Sequence, residues 1–510
     1  MGWRRTPVTR PARLAAVGIL LTALIASTAT MAAATSSGND WAKYLFDASG
    51  SGFTNEATIT SANAPSLAAR AGWPATPGGG ATISTQPVVA NNLVYVGSWN
   101  GSEYALCAAA CTHNKNGRGN HPSGSVWWSQ NLGQTTGGTS CHPQIVGVAS
   151  TPDVATVTIA GDTSPSSVLF VGGGGNNTAG GGSAQMYALD ALTGRIRWRT
   201  ALGASPAHFM WSSPVVYNGS VYVGVASFGD CPLVQGQLFQ LAATSGAIQH
   251  VFNVVPNGCV GGGVWSSPTI DISDGSLFFA TGNGGSCAVN EPYAVAVLKV
   301  RASDLAYLDS WQIPAAEQTT DSDFGAAVTL LAGTVAPGAA AVKLAGISNK
   351  NGTYYLFDRT RLNAGPVKRL LVAQPGDCPQ CGKGGISPSA YDGQKLYVAA
   401  GNTAINGVAC QGSLRAFDPN NLAGPLWQHC MSSGPVLGPV TAAPGIAVVG
   451  QGSYIIMVAT ATGATVFRGP VSSITTGSPA IFYAGASISH GVLYEADTAG
   501  NVYGYSVNGL

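Results

Sequence analysis

A short pattern of residues recurs along this chain, and the repetition constrains the fold more than any other feature. Each copy has an apolar pair after a proline, an alternating run that ends in glycine, a third apolar run and a Thr-Gly or Ser-Gly turn. The copies begin at Pro87, Pro152, Pro214, Pro268, near Ala326, at Pro388, around Pro439 and at Pro479. Most spacings are about 50 to 65 residues, the size of one four-stranded blade with its loops. The sequence therefore predicts an all-β fold, an eight-bladed β-propeller of four-stranded antiparallel blades.

The copy that starts at Pro152 illustrates the physical basis of the repeat. Residues 168–172 and 187–190 alternate as strands between neighbouring sheets do, and Gly194 allows the hairpin turn that follows. Trp198 then offers a large flat side chain for docking on the next blade. One blade cannot bury both of its faces, whereas eight blades in a ring can. We therefore expect a single closed ring over residues 35–510.

The two ends of that domain are expected to meet in the last blade. The segment after Asp40 should pair with residues 502–505, which closes the ring. The preceding residues 1–34 combine arginines, an apolar run over 14–27 and small residues near 32–34, the pattern of a signal peptide. We expect a secreted or cell-surface protein. The alternative is an uncleaved membrane anchor, because the apolar stretch approaches the ~20 residues that span a bilayer.

Charge and cysteine content narrow the functional classes. Only 9% of the residues are charged and the net charge is +1, so nucleic acid is not an expected partner. Ten cysteines fit an oxidising compartment. Cys410 and Cys430 are the favoured disulfide pair because they flank one strand of the same repeat. The other pairings stay open: Cys378 and Cys381 suit a strapped loop, and Cys107, Cys111 and Cys141 can pair with one another or with Cys231.

The stretch 261–271 with its continuation 280–283 carries a resemblance to a known family. Its Trp265 and Asn283 stand 18 positions apart. This resembles the pyrroloquinoline-quinone (PQQ) dependent alcohol dehydrogenase superfamily of β-propellers, nearest its polyvinyl-alcohol dehydrogenase branch. The resemblance implies that Trp265 is the floor on which PQQ stacks and that Asn283 is a calcium ligand. The alternative is a blade-docking tryptophan and a turn asparagine.

A second stretch, 321–325 followed by 347–359, resembles another motif of the same family. The resemblance implies that Asp323 is the catalytic base and a metal ligand, and that Asp321 is a calcium ligand or a supporting charge. It also implies that Lys350 binds the quinone oxygens, where a cation stabilises negative charge. The alternative is a solvated acidic loop with a surface lysine.

Other family positions match less well. Asp230 stands nearest the place of a metal-binding glutamate, and Ser212 and Ser227 stand where the family binds PQQ carboxylates through hydroxyls. Several alcohol dehydrogenases of the family cover the quinone with a disulfide of adjacent cysteines, and this sequence has no Cys-Cys pair. Cys141 beside His142 is the nearest equivalent. The lid is therefore built differently, or the cofactor site has been lost.

Two functions from different classes follow. The first is a secreted quinoprotein dehydrogenase that oxidises a small-molecule or polymeric alcohol or polyol with PQQ and calcium. No histidine follows Cys381 in a haem-attachment pattern, so electrons would pass to a separate cytochrome or other acceptor. The second is a PQQ-free propeller that serves as an extracellular binding or assembly scaffold, since outer-membrane assembly lipoproteins use the same repeat. The sequence favours the enzyme without establishing it, and it does not identify the substrate.

Overall fold

The computed structural model describes residues 1–3, 39–112, 119–137, 141–175, 184–203, 207–285, 287, 291–470 and 481–510. The chain divides into two compact units, Met1–Ala32 and Ala33–Leu510. The expected signal peptide over 1–34 and the expected repeat start at Pro479 thus lie outside the described residues, apart from 1–3. Within the described part of the chain, no helix is both long and apolar enough to cross a membrane.

The described residues of the second unit form eight antiparallel four-stranded sheets in chain order, which confirms the predicted blade number. Blades 1 to 4 consist of Val88–Ala90, Leu93–Gly97, Ser102–Cys107 and Val126–Asn131; Asp153–Val157, Ser166–Gly173, Gln185–Asp190 and Ile196–Ala201; Val215–Tyr217, Ser220–Ser227, Gln237–Ala242 and Ile248–Asn253; and Thr269–Asp271, Ser276–Ala280, Ala296–Arg301 and Tyr307–Gln312. Blades 5 to 8 consist of Thr329–Gly333, Val342–Ser348, Thr353–Asp358 and Pro366–Leu371; Ala390–Tyr391, Leu396–Ala400, Gly412–Asp418 and Asn421–Met431; Thr441–Ala443, Ile446–Gln451, Tyr454–Ala459 and Thr465–Pro470; and Ser487–Ser489, Val492–Ala496, Val502–Val507 and Leu67–Ala69.

A few short elements decorate the blades. His208–Phe209 adds a fifth strand to the third blade, beside Ser220–Ser227. Two small hairpins pair Thr135–Thr136 with Ile145–Val146 and Thr403–Ile405 with Val408–Cys410. The 3-10 helices are Ala64–Ser66, Ala315–Glu317, Leu362–Ala364 and Pro379–Cys381.

The ring closes through the two ends of the domain. The strand Leu67–Ala69 completes blade 8 by pairing with Val502–Val507, with Ala69 opposite Tyr505. This confirms the predicted closure. The eighth repeat begins later than its proline suggested, because its first strand starts only at Ser487.

Tryptophans of the fourth strands dock one blade on the next. Trp128 of blade 1 donates its indole N–H to the Ala191 carbonyl of blade 2 at 2.9 Å. Gly194, in the turn of blade 2, lies so close that a Cβ atom there would come within 2.6 Å of the ring of Trp128. Trp198 and Trp427 dock on blades 3 and 7 in the same way. The repeat tryptophan and the repeat glycine are therefore two halves of one contact, which joins consecutive blades.

All ten cysteines are paired. The five disulfides are Cys107–Cys111, Cys141–Cys231, Cys259–Cys287, Cys378–Cys381 and Cys410–Cys430. The predicted pair Cys410–Cys430 is confirmed, with Cα atoms 5.3 Å apart. Among the open choices, Cys141 joins Cys231 across 90 positions of sequence.

Candidate functional site in the axial cavity

The first strands of neighbouring blades contact one another and so surround the propeller axis. A cavity of about 250 Å³ lies among the residues that lead into these strands. Each blade contributes the residue four positions before its first strand, here called the −4 ring: Ser84, Ala149, Trp211, Trp265, Gly325, Ile386, Leu437 and Tyr483. Each also contributes the residue two positions before it, the −2 ring: Gln86, Thr151, Ser213, Ser267, Ala327, Pro388, Pro439 and Gly485. The eightfold repeat thus builds one shared cavity on the axis.

The cavity is polar on one side and apolar on the other. Blades 1 to 4 give the −2 ring an amide and three hydroxyls, whereas blades 5 to 8 give it alanine, glycine and two prolines. Backbone N–H groups on the polar side bond to the next blade. The N–H of Gln86 donates to Thr151 Oγ1, that of Thr151 to Ser213 Oγ and that of Ser213 to Ser267 Oγ, at 2.9 to 3.0 Å. These bonds hold four blades in register around the axis.

Trp265 lies in the −4 ring with Gly325 as its neighbour. A Cβ atom on Gly325 would lie 2.1 Å from Cη2 of Trp265, so only glycine leaves room for the indole ring in this position. The indole Nε1 of Trp265 has no hydrogen-bond partner among the described residues. Trp265 therefore lines the axial cavity and packs against Gly325, which leads into blade 5, but its indole N–H, unlike that of Trp128, has no partner in the described part of the next blade. The sequence predicts the stacking surface for the cofactor at this residue.

Two carboxylates, an amide and a lysine form a cluster beside this tryptophan. Lys350 Nζ lies 2.8 Å from Asp321 Oδ2, 3.0 Å from Asp323 Oδ2 and 5.1 Å from the ring centre of Trp265. Asn283 donates through its backbone N–H to Asp323 Oδ1 at 2.5 Å and through Nδ2 to Asp321 Oδ1 at 2.8 Å. The structure thus brings together all five residues that the two best motifs singled out.

The local fold explains this convergence. Trp265 precedes the first strand of blade 4, and Asn283 follows the second strand of the same blade. Asp323 precedes blade 5, and Lys350 follows its second strand. Because these connections lie at the same end of adjacent blades, residues 85 positions apart in sequence reach one site.

Burial and charge set the protonation of the cluster. Burial raises the pKa of Asp323 to about 6, Lys350 acts against this shift, and the negative charges of Asp321 and Asp230 add to it. Burial lowers the pKa of Lys350, but the carboxylates of Asp323 and Asp321 outweigh burial, and the net shift of the pKa is upward. The one ammonium of Lys350 therefore pairs with two carboxylates, and with both ionised the cluster carries an excess of negative charge.

Asp230 and Ser227 lie on the neighbouring side of the site. Ser227 Oγ donates to Asp230 Oδ1 at 2.5 Å, and the Ser227 carbonyl accepts the indole N–H of Trp211 at 3.2 Å. Asp230 is exposed, and its negative charge helps to raise the pKa of Asp323. Asp230 is thus a candidate ligand at the edge of the cluster, and the hydroxyl of Ser227 orients it.

Ser212 lies elsewhere. It is fully buried, and its Oγ accepts the backbone N–H of Gly224 inside its own blade at 3.1 Å. Its neighbour Ser213 lines the axial cavity instead. Side chains of an extended segment alternate in direction, so Trp211 and Ser213 face the axis while Ser212 faces the blade. The assignment of Ser212 to a cofactor remains a prediction that this packing does not favour.

Trp211 is not among the residues predicted for the site, although a repeated tetrapeptide in the sequence points to it. The tetrapeptide Trp-Ser-Ser-Pro occurs at residues 211–214 and again at 265–268. Both tryptophans fall on the −4 ring and line the same cavity. Trp99 lies beside Trp211 with ring centres 6.5 Å apart, edge to face. The wall of the cavity therefore has three tryptophans.

The donor set fits a hard cation and a planar cofactor. Carboxylate oxygens of Asp321, Asp323 and Asp230, with the amide oxygen of Asn283, are the ligand types that calcium-like ions prefer. The excess negative charge of the cluster favours such an ion. The partly exposed ring of Trp265, held open by Gly325, offers the aromatic face that a flat ring system requires.

Comparisons with known proteins agree with this architecture. A family model described as the outer membrane protein assembly factor BamB matches residues 118–353. A polyvinylalcohol dehydrogenase from a Pseudomonas species is 30% identical over a match that covers 19% of this chain and 19% of that relative. The match thus spans about a fifth of the relative's length.

Two solved structures extend the comparison to the whole propeller. The quinohemoprotein alcohol dehydrogenase ADHIIG from Pseudomonas putida HK5 has a TM-score of 0.67 at 15% identity and covers 93% of this chain and 81% of its own. A europium-containing methanol dehydrogenase has a TM-score of 0.66 at 15% identity, with 92% of this chain and 98% of its own covered. At such low identity these similarities establish the fold, and they confirm the resemblance in fold.

Proposed function

We propose that this chain, which has the β-propeller fold of the PQQ-dependent dehydrogenases, is a quinoprotein dehydrogenase that oxidises an alcohol or polyol. The observation that carries the proposal is the cluster of Asn283, Asp321, Asp323 and Lys350 beside Trp265, which lines the axial cavity. Docking between blades is served elsewhere by tryptophans such as Trp128, so two carboxylates and a lysine beside a partly exposed aromatic ring are more than docking requires. The cluster is therefore best explained by a ligand.

The residues present would divide the work of binding between them. Trp265 would support the planar quinone, and Lys350 would place a positive charge at its oxygens. Asn283, Asp321 and Asp323 would hold a calcium ion, with Asp230 at the edge of the site. Bound PQQ would supply the electrophilic centre that accepts a hydride from the alcohol carbon.

Asp323 would act as the base. As the substrate carbon loses a hydride, its hydroxyl loses a proton, and a carboxylate oxygen of Asp323 would accept that proton. Lys350, bonded to Oδ2 of Asp323, would keep the carboxylate ionised until the transfer takes place. The oxidation releases two electrons and two protons in all, one with the hydride and one from the hydroxyl, and all of them must then leave the site. A separate cytochrome or another acceptor would take the electrons.

The partner and the location belong to the same proposal. The substrate would be a small or polymeric alcohol, and the charge of the chain gives no reason to expect nucleic acid. Five disulfides support secretion or display at the cell surface, where thiols oxidise.

The matched family model favours one alternative, a propeller that serves only as a binding or assembly scaffold. The experiment that separates the two functions is a dye-reduction assay with purified protein, PQQ and calcium. Alcohols from ethanol to polyvinyl alcohol would be supplied as substrates. We expect turnover that needs both PQQ and calcium and that Asp323→Asn reduces at least ~100-fold. Asp304→Asn, in an exposed ion pair with Arg301, should retain full activity. No turnover with any alcohol would favour the scaffold.

A further inference from the structure

Three loops lie side by side at the edge of the candidate site. The first contains Asp230, the second contains Gly261 and the third contains Asn283. The N–H of Gly261 donates to the Val234 carbonyl at 2.8 Å, and the Gly261 carbonyl accepts from Gly236 at 2.9 Å. On the other side, Gly262 donates to the carbonyl of Asn283 at 2.7 Å. The backbone of the second loop therefore joins the two loops that carry candidate ligands.

This contact leaves no space for side chains. A Cβ atom on Gly261 would lie 2.4 Å from the backbone nitrogen of Gly285, and one on Gly236 would lie 1.9 Å from the carbonyl oxygen of Gly262. Gly261 also has φ = +104°, a conformation that other residues rarely adopt. The three backbones are thus in direct contact, and a shift of one loop must displace the next.

Two disulfides fasten this arrangement. Cys259–Cys287 joins the second loop to the third, close to Asn283. Cys141–Cys231 joins the first loop to a distant segment, 90 positions earlier in the sequence. Cys231 follows Asp230 directly, and Asp230 has φ = +58°, in the left-handed region outside any strand. Among the described residues no strand pairing fixes Asp230, and the disulfide of Cys231 and the Ser227 hydroxyl both restrain it.

We propose that Cys141–Cys231 and Cys259–Cys287 are positioning disulfides of the cation site, which hold Asp230 and Asn283 at the spacing that one ion requires. The inference rests on the proposed function and concerns how that site is built. Its consequence is that breaking either disulfide weakens cation binding, although no cysteine contacts the ion. Cys410–Cys430, which lies in blade 6, should have no such effect.

The experiment measures binding of terbium ion alone, by luminescence sensitised through tryptophan, with calcium as competitor. The variants are Cys141→Ser/Cys231→Ser and Cys259→Ser/Cys287→Ser. The matched control is Cys410→Ser/Cys430→Ser, a pair that joins the small hairpin of blade 6 to the fourth strand of that blade. We expect the dissociation constant to rise at least ~10-fold in the first two variants and less than ~2-fold in the control.

A second arm identifies the residue through which the first disulfide acts. Asp230→Asn should weaken terbium binding in the intact protein and have little further effect in the Cys141→Ser/Cys231→Ser protein, since the two changes remove the same contribution. If a cysteine variant does not fold, Gly261→Ala separates the three backbones without removing any sulfur. It should weaken terbium binding in the same way.

The outcomes separate this inference from the proposed function. Terbium binding that Asp230→Asn weakens but that both cysteine-pair variants and Gly261→Ala leave unchanged overturns the positioning role alone. A wild-type protein that binds neither terbium nor calcium overturns the cation site and with it the proposed function. Equal weakening in the blade 6 control would show a general loss of stability and would also overturn the positioning role.

Discussion

Lys350 Nζ lies 5.1 Å from the ring centre of Trp265, so the cation that pairs with the acidic cluster also borders the aromatic surface. The same ammonium bridges Asp321 and Asp323. Its removal leaves two nearby carboxylates without a counter-charge. A bound cation would replace that positive charge. The stability of the protein would then depend on whether a cation occupies the site.

Lys350→Met should therefore lower the free energy of unfolding by about 2–4 kcal/mol in metal-free buffer at neutral pH. Calcium should restore more stability to this variant than it adds to the wild type, because it relieves the repulsion between the carboxylates. Urea unfolding with and without calcium measures both effects. Lys299→Met is the matched control, since Lys299 pairs with Asp274 and lies over Phe278 away from the cavity. A calcium response equal in both variants would contradict the interpretation.

Gly325→Ala should displace the indole of Trp265, because the added Cβ would lie 2.1 Å from Cη2. Overpacking of this kind costs about 1–3 kcal/mol of stability. The more specific effect is on the ligand: we expect PQQ affinity to fall at least ~10-fold. Gly424→Ala is the control, because a Cβ there meets nothing within 4 Å. Absorbance titration with PQQ and thermal unfolding measure the two effects, and unchanged PQQ affinity would contradict the assigned role of Trp265.

Ser267→Ala should lower the free energy of unfolding, because it removes a contact between two blades at the propeller axis. The Ser267 hydroxyl accepts the backbone N–H of Ser213 from the neighbouring blade at 2.9 Å, and both residues are buried. Its loss leaves that N–H unpaired, which costs about 1–3 kcal/mol. Urea unfolding checks the value against Ser303→Ala, a change at an exposed position. A difference below about 0.5 kcal/mol would show that the bond is replaced by another.

The number of blades and the ring closure could be predicted because each blade repeats the same burial pattern. The convergence of Trp265, Asn283, Asp323 and Lys350 could be predicted only through a family motif, since spacing alone does not say which ends of adjacent blades meet. Ser212 shows the limit of that approach. A shift of one residue in an extended segment reverses the direction of the side chain, and the hydroxyl at the cavity belongs to Ser213.

Disulfide connectivity shows the same contrast. Cys410–Cys430 could be predicted because both residues flank one strand of a single repeat. Cys141–Cys231 could not, since its residues come from different blades and meet only once the ring has formed.

Glu103→Gln should change how stability depends on pH. Glu103 is fully buried in blade 1, and its carboxyl oxygens have no hydrogen-bond partner among the described residues. Burial raises the pKa of Glu103 well above its ordinary value of 4.5. The folded protein therefore keeps this proton over a range in which the unfolded chain loses it. The contribution of Glu103 to the free energy of unfolding is therefore fully present below pH 4.5. It decreases by up to about 1.4 kcal/mol per pH unit as the pH rises toward the raised pKa.

The variant cannot lose a proton at this position. Its free energy of unfolding should therefore increase relative to that of the wild type from pH 5 to pH 8. Unfolding free energies across that range measure the difference. Glu317→Gln, a change in an exposed ion pair with Arg369, serves as the control. A constant difference between wild type and Glu103→Gln would contradict a protonated Glu103.

The central claim is that the axial cavity binds PQQ on a cation, and equilibrium titration of the purified protein with PQQ tests it most directly. The absorbance of the quinone would be followed with and without calcium, for the wild type and for Trp265→Ala and Asp323→Ala. We predict saturable binding of one PQQ per chain that requires calcium. Trp265→Ala should weaken it at least ~10-fold, and Asp323→Ala, which removes a proposed calcium ligand as well as the base, should abolish turnover. Absence of PQQ binding, or binding that neither calcium nor Trp265→Ala affects, would contradict the claim and leave the propeller as a scaffold.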